Sequence, residues 1–207
     1  MRSIALLLFL PLFLVAAAQA PVAITKDDPL VRRLMALSAE TRSVQATFTQ
    51  EKHMRVLTRP VISEGVFAYE RPGRMRWQVD TPERLVALVE KKVVRIQQNG
   101  REQDVSAMDR QVYGAITDLV EGIVSGTVLA NDRMTAAYFK VPEGLLVVVT
   151  PDARMAKRIK EVRLVFDAKS LMLLELRMDQ PNGDHMVTRF HDAHTGVTFS
   201  ATTFTQF

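Results

Sequence analysis

Apolar and polar residues alternate along most of this 207-residue chain, in short runs that end at turn-forming residues. Clear runs lie at 61–70, 74–79 and 172–178, and turn signals fill 71–73 and 181–184. A period of two places successive side chains on opposite faces of a β-strand. Many short strands with short connections are typical of an antiparallel meander rather than of βαβ units. The pattern therefore predicts a mainly β protein with a sheet of about ten antiparallel strands.

The predicted strands extend from about residue 44 to the end of the chain. The strands are expected at about 44–49, 61–70, 74–79, 84–90, 92–98, 134–140, 144–150, 162–166, 172–178, 186–190 and 196–206. A twisted sheet with this many strands tends to curl or to close. A curled sheet has an apolar concave face, which other elements must cover.

One element that can cover this face is a helix predicted at about 28–42. Asp27 or Asp28 can cap its first turn, and Pro29 fits the first helical position. The apolar residues that follow recur at helical spacing, with charged residues on the other side of the helix. The mature chain is therefore expected to open with an amphipathic helix.

A second helical stripe lies in the middle of the chain, at 108–125. Its apolar residues are spaced by three and four, and the stripe consists of Met108, Val112, Ile116, Leu119, Val120 and Ile123. Glycines at 114, 122 and 126 weaken a helix by about 1 kcal/mol each relative to alanine. The segment is therefore predicted to be a short or broken helix with one apolar face.

The first twenty residues have the composition of a secretory leader. Arg2 precedes the apolar run 4–18, which is short for a membrane span and ends in small residues. Cleavage is expected after Ala18 rather than after Ala20, because the second bond is followed by proline. A single domain then covers 21–207, in a compartment outside the cytoplasm.

Residues that carry out catalysis or hold metals are not arranged in any known pattern. The chain has no Cys, no Gly-x-Ser-x-Gly elbow and no phosphate-binding glycine loop. His191 and His194 are three apart, which on a strand places them on opposite faces, and no third ligand is evident. A net charge of +4 from scattered residues is no nucleic-acid footprint. We therefore expect no enzyme, no metal, no cofactor and no nucleic-acid partner.

Several strings in the chain resemble a known family. Phe48-Thr49-Gln50 follows the first helix, residues 71–77 run from Arg-Pro to Trp, and residues 145–151 read LLVVVTP. In this order and spacing, from about 30 to 190, they resemble the LolA family of periplasmic carriers of outer-membrane lipoproteins. The resemblance implies an incomplete, half-open antiparallel β-barrel whose open side is covered by an N-terminal helix and a broken lid helix.

The resemblance also implies a function. It is that of a periplasmic, monomeric carrier that binds the acyl chains of lipoproteins in an apolar cavity. The cargo would come from an inner-membrane ABC transporter and pass to an outer-membrane receptor. Acyl chains need such an escort, since each buried methylene is worth about 0.8 kcal/mol.

The family's functional positions fall on particular residues of this chain. The expected lipid-binding residues are Phe48, Phe67, Met75, Trp77, Ile116, Leu119, Val120 and Ile123. The family's arginine before proline falls on Arg71, which is expected to hold the lid by hydrogen bonds to helix carbonyls and so to control release.

Some departures from the family pattern keep further functions open. Where the family has an Asp-Gly turn and aromatic residues, this chain has Glu90-Lys91-Lys92 and Arg95, and it ends at Phe207 without the usual C-terminal extension. One such function is that of a LolA-like paralogue that carries or senses another envelope lipid or glycolipid, served by another exporter. An outer-membrane β-barrel and a hydrolase also stay open as hypotheses. The two helical segments and the scarcity of aromatic residues argue against the barrel.

Overall fold

The structure, a computed structural model, describes residues 20–91, 93–107, 110, 113–114, 117, 122, 134–153 and 155–207. Over these residues the protein is mainly β, with one helix of defined bounds. The elements in chain order are β1 (Val22–Ile24), α1 (Pro29–Glu40), β2 (Ser43–His53), β3 (Val61–Glu70), β4 (Arg74–Thr81), β5 (Leu85–Glu90), β6 (Val93–Gln98), β7 (Arg101–Gln103), β8 (Met134–Val141), β9 (Gly144–Pro151), β10 (Glu161–Asp167), β11 (Leu173–Asp179) and β12 (His185–Thr195).

The strands form one antiparallel sheet in the order β1-β8-β9-β10-β11-β12-β2-β3-β4-β5-β6-β7. β12 lies beside β2, so the two halves of the chain meet in the middle of the sheet. β1 and β7 form the two ends, and within the described residues they do not pair with each other. The sheet is therefore curled but not closed into a barrel, which is consistent with the expected half-open fold.

The described residues form twelve strands rather than about ten. The sequence does not predict β1 and β7, because a three-residue strand is too short to show an alternating pattern. The predicted last strand at 196–206 is wrong. β12 ends at Thr195, and the chain then turns at 201–205 instead of pairing with a neighbour.

This C-terminal segment, residues 197–207, packs on the outer face of the sheet. The Phe204 ring is buried and meets the Phe199 ring edge to face at 5.1 Å between centroids. The Arg74 guanidinium lies 5.2 Å from the centre of the Phe204 ring. Nη1 of Arg76 donates to two carbonyl oxygens of the segment, at 2.7 and 3.0 Å, and Nη1 of Arg95 donates to a third at 3.0 Å. The pKa of the Arg76 guanidinium group is lowered, and burial is the main cause. Arginines that alternate with the inward residues of β4 and β6 thus bind the end of the chain.

α1 covers part of the concave face, as expected. The side chain of Asp28 caps it by accepting a hydrogen bond from the Leu30 N–H at 2.9 Å, and Pro29 occupies the first turn. Asp28 also pairs with Lys140 on β8, and these two hydrogen bonds lower the pKa of its carboxyl group. Val31 and Leu34 are buried against the sheet.

The predicted broken helix at 108–125 lies mostly outside the described residues. The described residues of the segment are all helical, and they are Arg110, Tyr113, Gly114, Thr117 and Gly122. Thr117 is buried, and its hydroxyl donates to the Sδ atom of Met75 at 3.6 Å. The segment therefore contacts the concave face at this point. None of the helices in the described parts is long and apolar enough to span a bilayer.

Candidate functional site

Four aromatic rings meet on the concave face, and strand register brings them together. Phe48 on β2 is the direct partner of Phe190 on β12, and Phe67 on β3 is the partner of Trp77 on β4. Ring centroids lie 4.8 Å apart for Phe48 and Trp77, 5.7 Å for Phe67 and Trp77, and 5.9 Å for Phe67 and Phe190. The contacts are tilted or edge-to-face, which aromatic pairs favour. We call these four residues the aromatic cluster.

The ring of Phe48 fits its place because its partner on β3 is Gly65. A Cβ atom at position 65 would lie 2.7 Å from Cζ of Phe48 and would collide with the carbonyl oxygen of Gln78. The register between β3 and β4 also shifts next to Gly65. This glycine therefore allows two strands and a large ring to approach closely.

An apolar pocket of about 100 Å³ lies next to the aromatic cluster and opens at one end of the sheet. It is lined by Leu34, Leu37, Ser38, Thr41, Val44, Ala46, Phe67, Trp77, Phe166, Leu171, Met172, Leu173, Leu176, Phe190, Ala193 and Thr195. None of these side chains carries a charge, and the three polar ones are hydroxyl groups. The pocket therefore suits an apolar ligand and provides no partner for a buried charge.

Arg71 links the turn between β3 and β4 to the last turn of α1. This last turn of the helix borders the pocket. Its Nη2 donates to the carbonyl oxygen of Ser38 at 3.0 Å, and its Nη1 to that of Ala39 at 3.3 Å. The last carbonyl groups of a helix have no partner within the helix, so an arginine satisfies them. Arg71 therefore fixes the end of the helix that forms one wall of the pocket.

The sequence-predicted site residues have different positions relative to the pocket. Phe67 and Trp77 line it, whereas Phe48 and Met75 are buried in the core behind this lining. Ile116, Leu119, Val120 and Ile123 lie outside the described residues. The two hydrogen bonds of Arg71 given above are donated to carbonyl groups of α1. Its predicted lid partner is the segment 108–125, most of which lies outside the described residues. Acyl binding and the lid role stay predictions.

Sequence reasoning missed the other walls of the pocket. α1 contributes Leu34 and Leu37, and the later strands contribute Phe166, Leu176 and Phe190. The signal was present, since the two leucines belong to the apolar stripe of the helix and the others alternate within their strands. Alternation shows which residues share a face of one strand, but it does not show which strands face each other.

One ionisable group of the core, a tyrosine, is held more strongly in its neutral form by burial. Tyr138 on β8 is buried, and this burial raises the pKa of its phenol to about 12.

Across the described residues, no group of three or more His, Cys, Asp or Glu side chains is placed to hold a metal ion. His191 contacts the Thr49 hydroxyl at 3.3 Å, and a bulge separates it from His194.

The volume of the pocket is small compared with the roughly 300–1,000 Å³ that common small-molecule sites have. Its volume accommodates part of an acyl chain, so a larger ligand requires its walls to move apart. Among the described walls of the pocket, α1 is joined to its surroundings by side-chain contacts rather than by a strand ladder. Displacement of α1 is therefore the simplest way to enlarge the pocket.

A curled, open antiparallel sheet with a helix over an uncharged pocket defines a class of proteins that bind apolar ligands. Residues 39–206 match the model of the family described as outer membrane lipoprotein carrier protein LolA. The chain therefore belongs to the LolA family. None of the curated protein sequences matches it.

Several solved structures show a weak similarity to this chain and share little sequence with it. A DUF1329 family protein from Desulfovibrio piger is 9% identical with a TM-score of 0.48, and the match covers 86% of this chain and 98% of that one. A LolA superfamily protein from Nitrosomonas europaea is 10% identical with a TM-score of 0.44, covering 84% and 97%. MucB is 16% identical with a TM-score of 0.37, covering 84% of this chain and 60% of MucB.

Proposed function

We propose that this protein is a periplasmic carrier that binds the acyl chains of lipoproteins in the pocket beside the aromatic cluster. The observation that supports this most directly is the lining, which has aromatic and aliphatic walls and no charged side chain. Family membership supports the same function. The carrier would collect its cargo from an inner-membrane ABC transporter and deliver it to an outer-membrane receptor, acting as a monomer.

The physical basis is the transfer of acyl chains out of water. Each methylene that enters the pocket contributes about 0.8 kcal/mol, so about ten buried methylenes supply the roughly 8 kcal/mol of micromolar binding. A carrier must also release its cargo, and a pocket that opens by moving α1 binds less tightly than a rigid one. The free energy needed to displace α1 offsets part of the free energy gained by burying the chain.

The test uses the single tryptophan of the chain, Trp77, which lines the pocket. Myristoyl and palmitoyl lipopeptides are titrated into the detergent-free protein while Trp77 fluorescence is recorded, and native mass spectrometry identifies bound lipid. Saturable binding that strengthens with chain length is expected. A fluorescence signal that does not depend on the acyl chain would contradict the proposal.

Two neighbouring leucines provide a matched pair of variants. Leu173 lines the pocket, whereas Leu174 is exposed on the other face of β11. Leu173→Glu introduces a charge next to the acyl chain and is expected to weaken binding by at least about tenfold. Leu174→Glu is expected to bind normally. Equal binding by the two variants would place the lipid elsewhere.

A second candidate is a LolA-like carrier or sensor for another envelope lipid or glycolipid. The small pocket favours it, because a lipid with fewer acyl chains than a triacylated lipoprotein needs less displacement of α1. Native mass spectrometry separates the two candidates. A lipoprotein adduct supports the first function, and a phospholipid or glycolipid adduct supports the second.

A further inference from the structure

The most exposed large apolar side chain of the described residues, Val56, lies in the loop between β2 and β3, residues 54–60, next to the exposed Leu57. Val56 is 87% exposed and Leu57 is 44% exposed. The loop lies at the end of the sheet opposite the pocket mouth, because β2 starts beside the pocket lining at Val44 and reaches the loop after His53. We call this end of the sheet the distal end.

The loop is held in a defined shape. The Leu57 N–H donates to the carbonyl oxygen of Met54 at 2.9 Å, which closes a turn with Val56 at its tip. The Arg55 N–H donates to a carboxyl oxygen of Asp184 at 2.9 Å, and Nη1 of Arg55 donates to the carbonyl oxygen of Asn182 at 3.2 Å. These bonds fix the loop to the turn between β11 and β12. Exposure of Val56 and Leu57 is therefore built into the loop.

Basic side chains surround this apolar tip. Lys52, Arg55 and Arg59 are exposed in or beside the loop. The connection between β9 and β10 lies at the same end of the sheet, because the Lys160 N–H donates to the carbonyl oxygen at the end of β11. This connection contributes three further exposed cations, which are Lys157, Arg158 and Lys160. The acidic residues of these two connections and the intervening turn are Asp152 and Asp184, which are engaged in local hydrogen bonds. These two connections, with Lys52 and the intervening turn, thus carry more exposed cations than carboxylates beside two exposed apolar residues.

We propose that the distal end docks on an anionic membrane surface, with Val56 and Leu57 inserted at the level of the lipid headgroups. Apolar insertion and attraction of basic residues to anionic lipids together provide interfacial binding. A lipid surface fits this end better than a protein partner, because the tip of the loop is convex. Two side chains also bury far less surface area than the roughly 1,200 Å² of a specific protein interface. Docking in this way leaves the pocket mouth facing away from the membrane. The proposal concerns a different surface from the pocket and does not depend on it.

The experiment uses the absence of cysteine from the chain, which makes one introduced thiol unique. The protein is exported through its own leader, its new N-terminus is verified by mass spectrometry, and Val56→Cys is labelled with an environment-sensitive dye. The control is Val93→Cys, a 62% exposed valine at the start of β6 near the pocket mouth. Vesicles of phosphatidylethanolamine and phosphatidylglycerol at about 3:1 should shift the dye to the blue at position 56 but not at position 93.

Partitioning onto the same vesicles gives the quantitative test. Val56→Ser combined with Leu57→Ser is expected to weaken partitioning by at least about tenfold, and Val93→Ser to leave it unchanged. Binding should also weaken with added salt and should be lost on pure phosphatidylcholine vesicles. The proposal is overturned by absent partitioning, by equal partitioning of the double variant, or by a photo-crosslinker at position 56 that captures a protein in intact cells and not lipid. Thermal unfolding of each variant shows that the fold is retained.

Discussion

Nη2 of Arg71 lies 3.0 Å from the carbonyl oxygen of Ser38, so the turn after β3 is bonded directly to the last turn of α1. Ser38 is itself part of the pocket lining. A side chain on the sheet therefore fixes the position of the helix that would have to move for a larger ligand to enter. This relationship connects Arg71 to the opening of the pocket even without a contact to the ligand.

Arg71→Leu should loosen the end of α1 while leaving the sheet intact. Loss of the two bonds to carbonyl oxygens is expected to cost about 1 kcal/mol of stability, less than for a buried charged donor, because the group is partly exposed. Amide exchange at 38–41 should become faster, and bound acyl chain should dissociate faster. Arg71→Lys should restore part of the effect. Unchanged exchange and dissociation in Arg71→Leu would contradict the role assigned to this residue.

Gly65→Ala should be severely destabilising. The added methyl group collides with the Gln78 backbone and with the Phe48 ring, so the aromatic cluster or the β3–β4 pairing must shift, at a cost of about 3 kcal/mol or more. Gly114→Ala is the control, since no described atom lies within 4 Å of the added Cβ and alanine favours helix. Urea unfolding measures both. Comparable midpoints would show that β3 has room for a methyl group.

Phe204→Ala should detach the C-terminal segment from the outer face. The ring is buried, and its loss is expected to cost about 3 kcal/mol where the segment packs. Phe207→Ala, which removes only a ring 4.6 Å from the Arg95 guanidinium, should cost less than about 1 kcal/mol. Limited carboxypeptidase digestion reports detachment directly. Equal resistance of the Phe204 variant and the parent protein would contradict the packing role.

Acid should destabilise the fold through paired carboxylates. Hydrogen bonds from Arg177 are the main cause that lowers the pKa of Asp179, and those from Arg189 lower that of Glu51. A carboxyl group with a lowered pKa in the folded state stabilises the fold above its unfolded pKa, at about pH 4, and this contribution is lost as the pH falls through the folded value. Asp179→Asn should therefore be less stable at pH 6 and lose less stability between about pH 4 and 2.5. Urea midpoints across this range provide the measurement, and parallel curves would contradict it.

Local patterns are sufficient to predict most of the elements. Asp28 and Pro29 mark the start of α1, and strict alternation marks strands such as β3 and β4. The two three-residue strands escape prediction because pairing with β8 and β6, rather than their own sequence, makes them strands. Alternation in the C-terminal segment predicts a strand that does not form. The burial of Phe204 and the arginine bonds to backbone carbonyl groups give this segment another conformation.

The candidate site is only partly predictable for a related reason. The family resemblance selects Phe67 and Trp77, which lie on adjacent strands close in sequence and line the pocket. Phe190 faces the same cluster, but it lies more than a hundred residues away and reaches Phe48 through the pairing of β12 with β2. Such a pairing depends on how the whole sheet curls, and no local spacing records it.

The pairing of β12 with β2 also sets the order of events when the protein is made and folds. Local hairpins such as β3–β4 close early, since short loops carry a small entropic cost, whereas contacts across most of the chain form late. The aromatic cluster needs Phe190 as well as Phe48, so the pocket has no far wall until nearly the whole chain has emerged. A nascent chain therefore lacks the proposed acyl-binding pocket until its last strand has paired. The proposed ligand binding is thus expected of the finished chain alone.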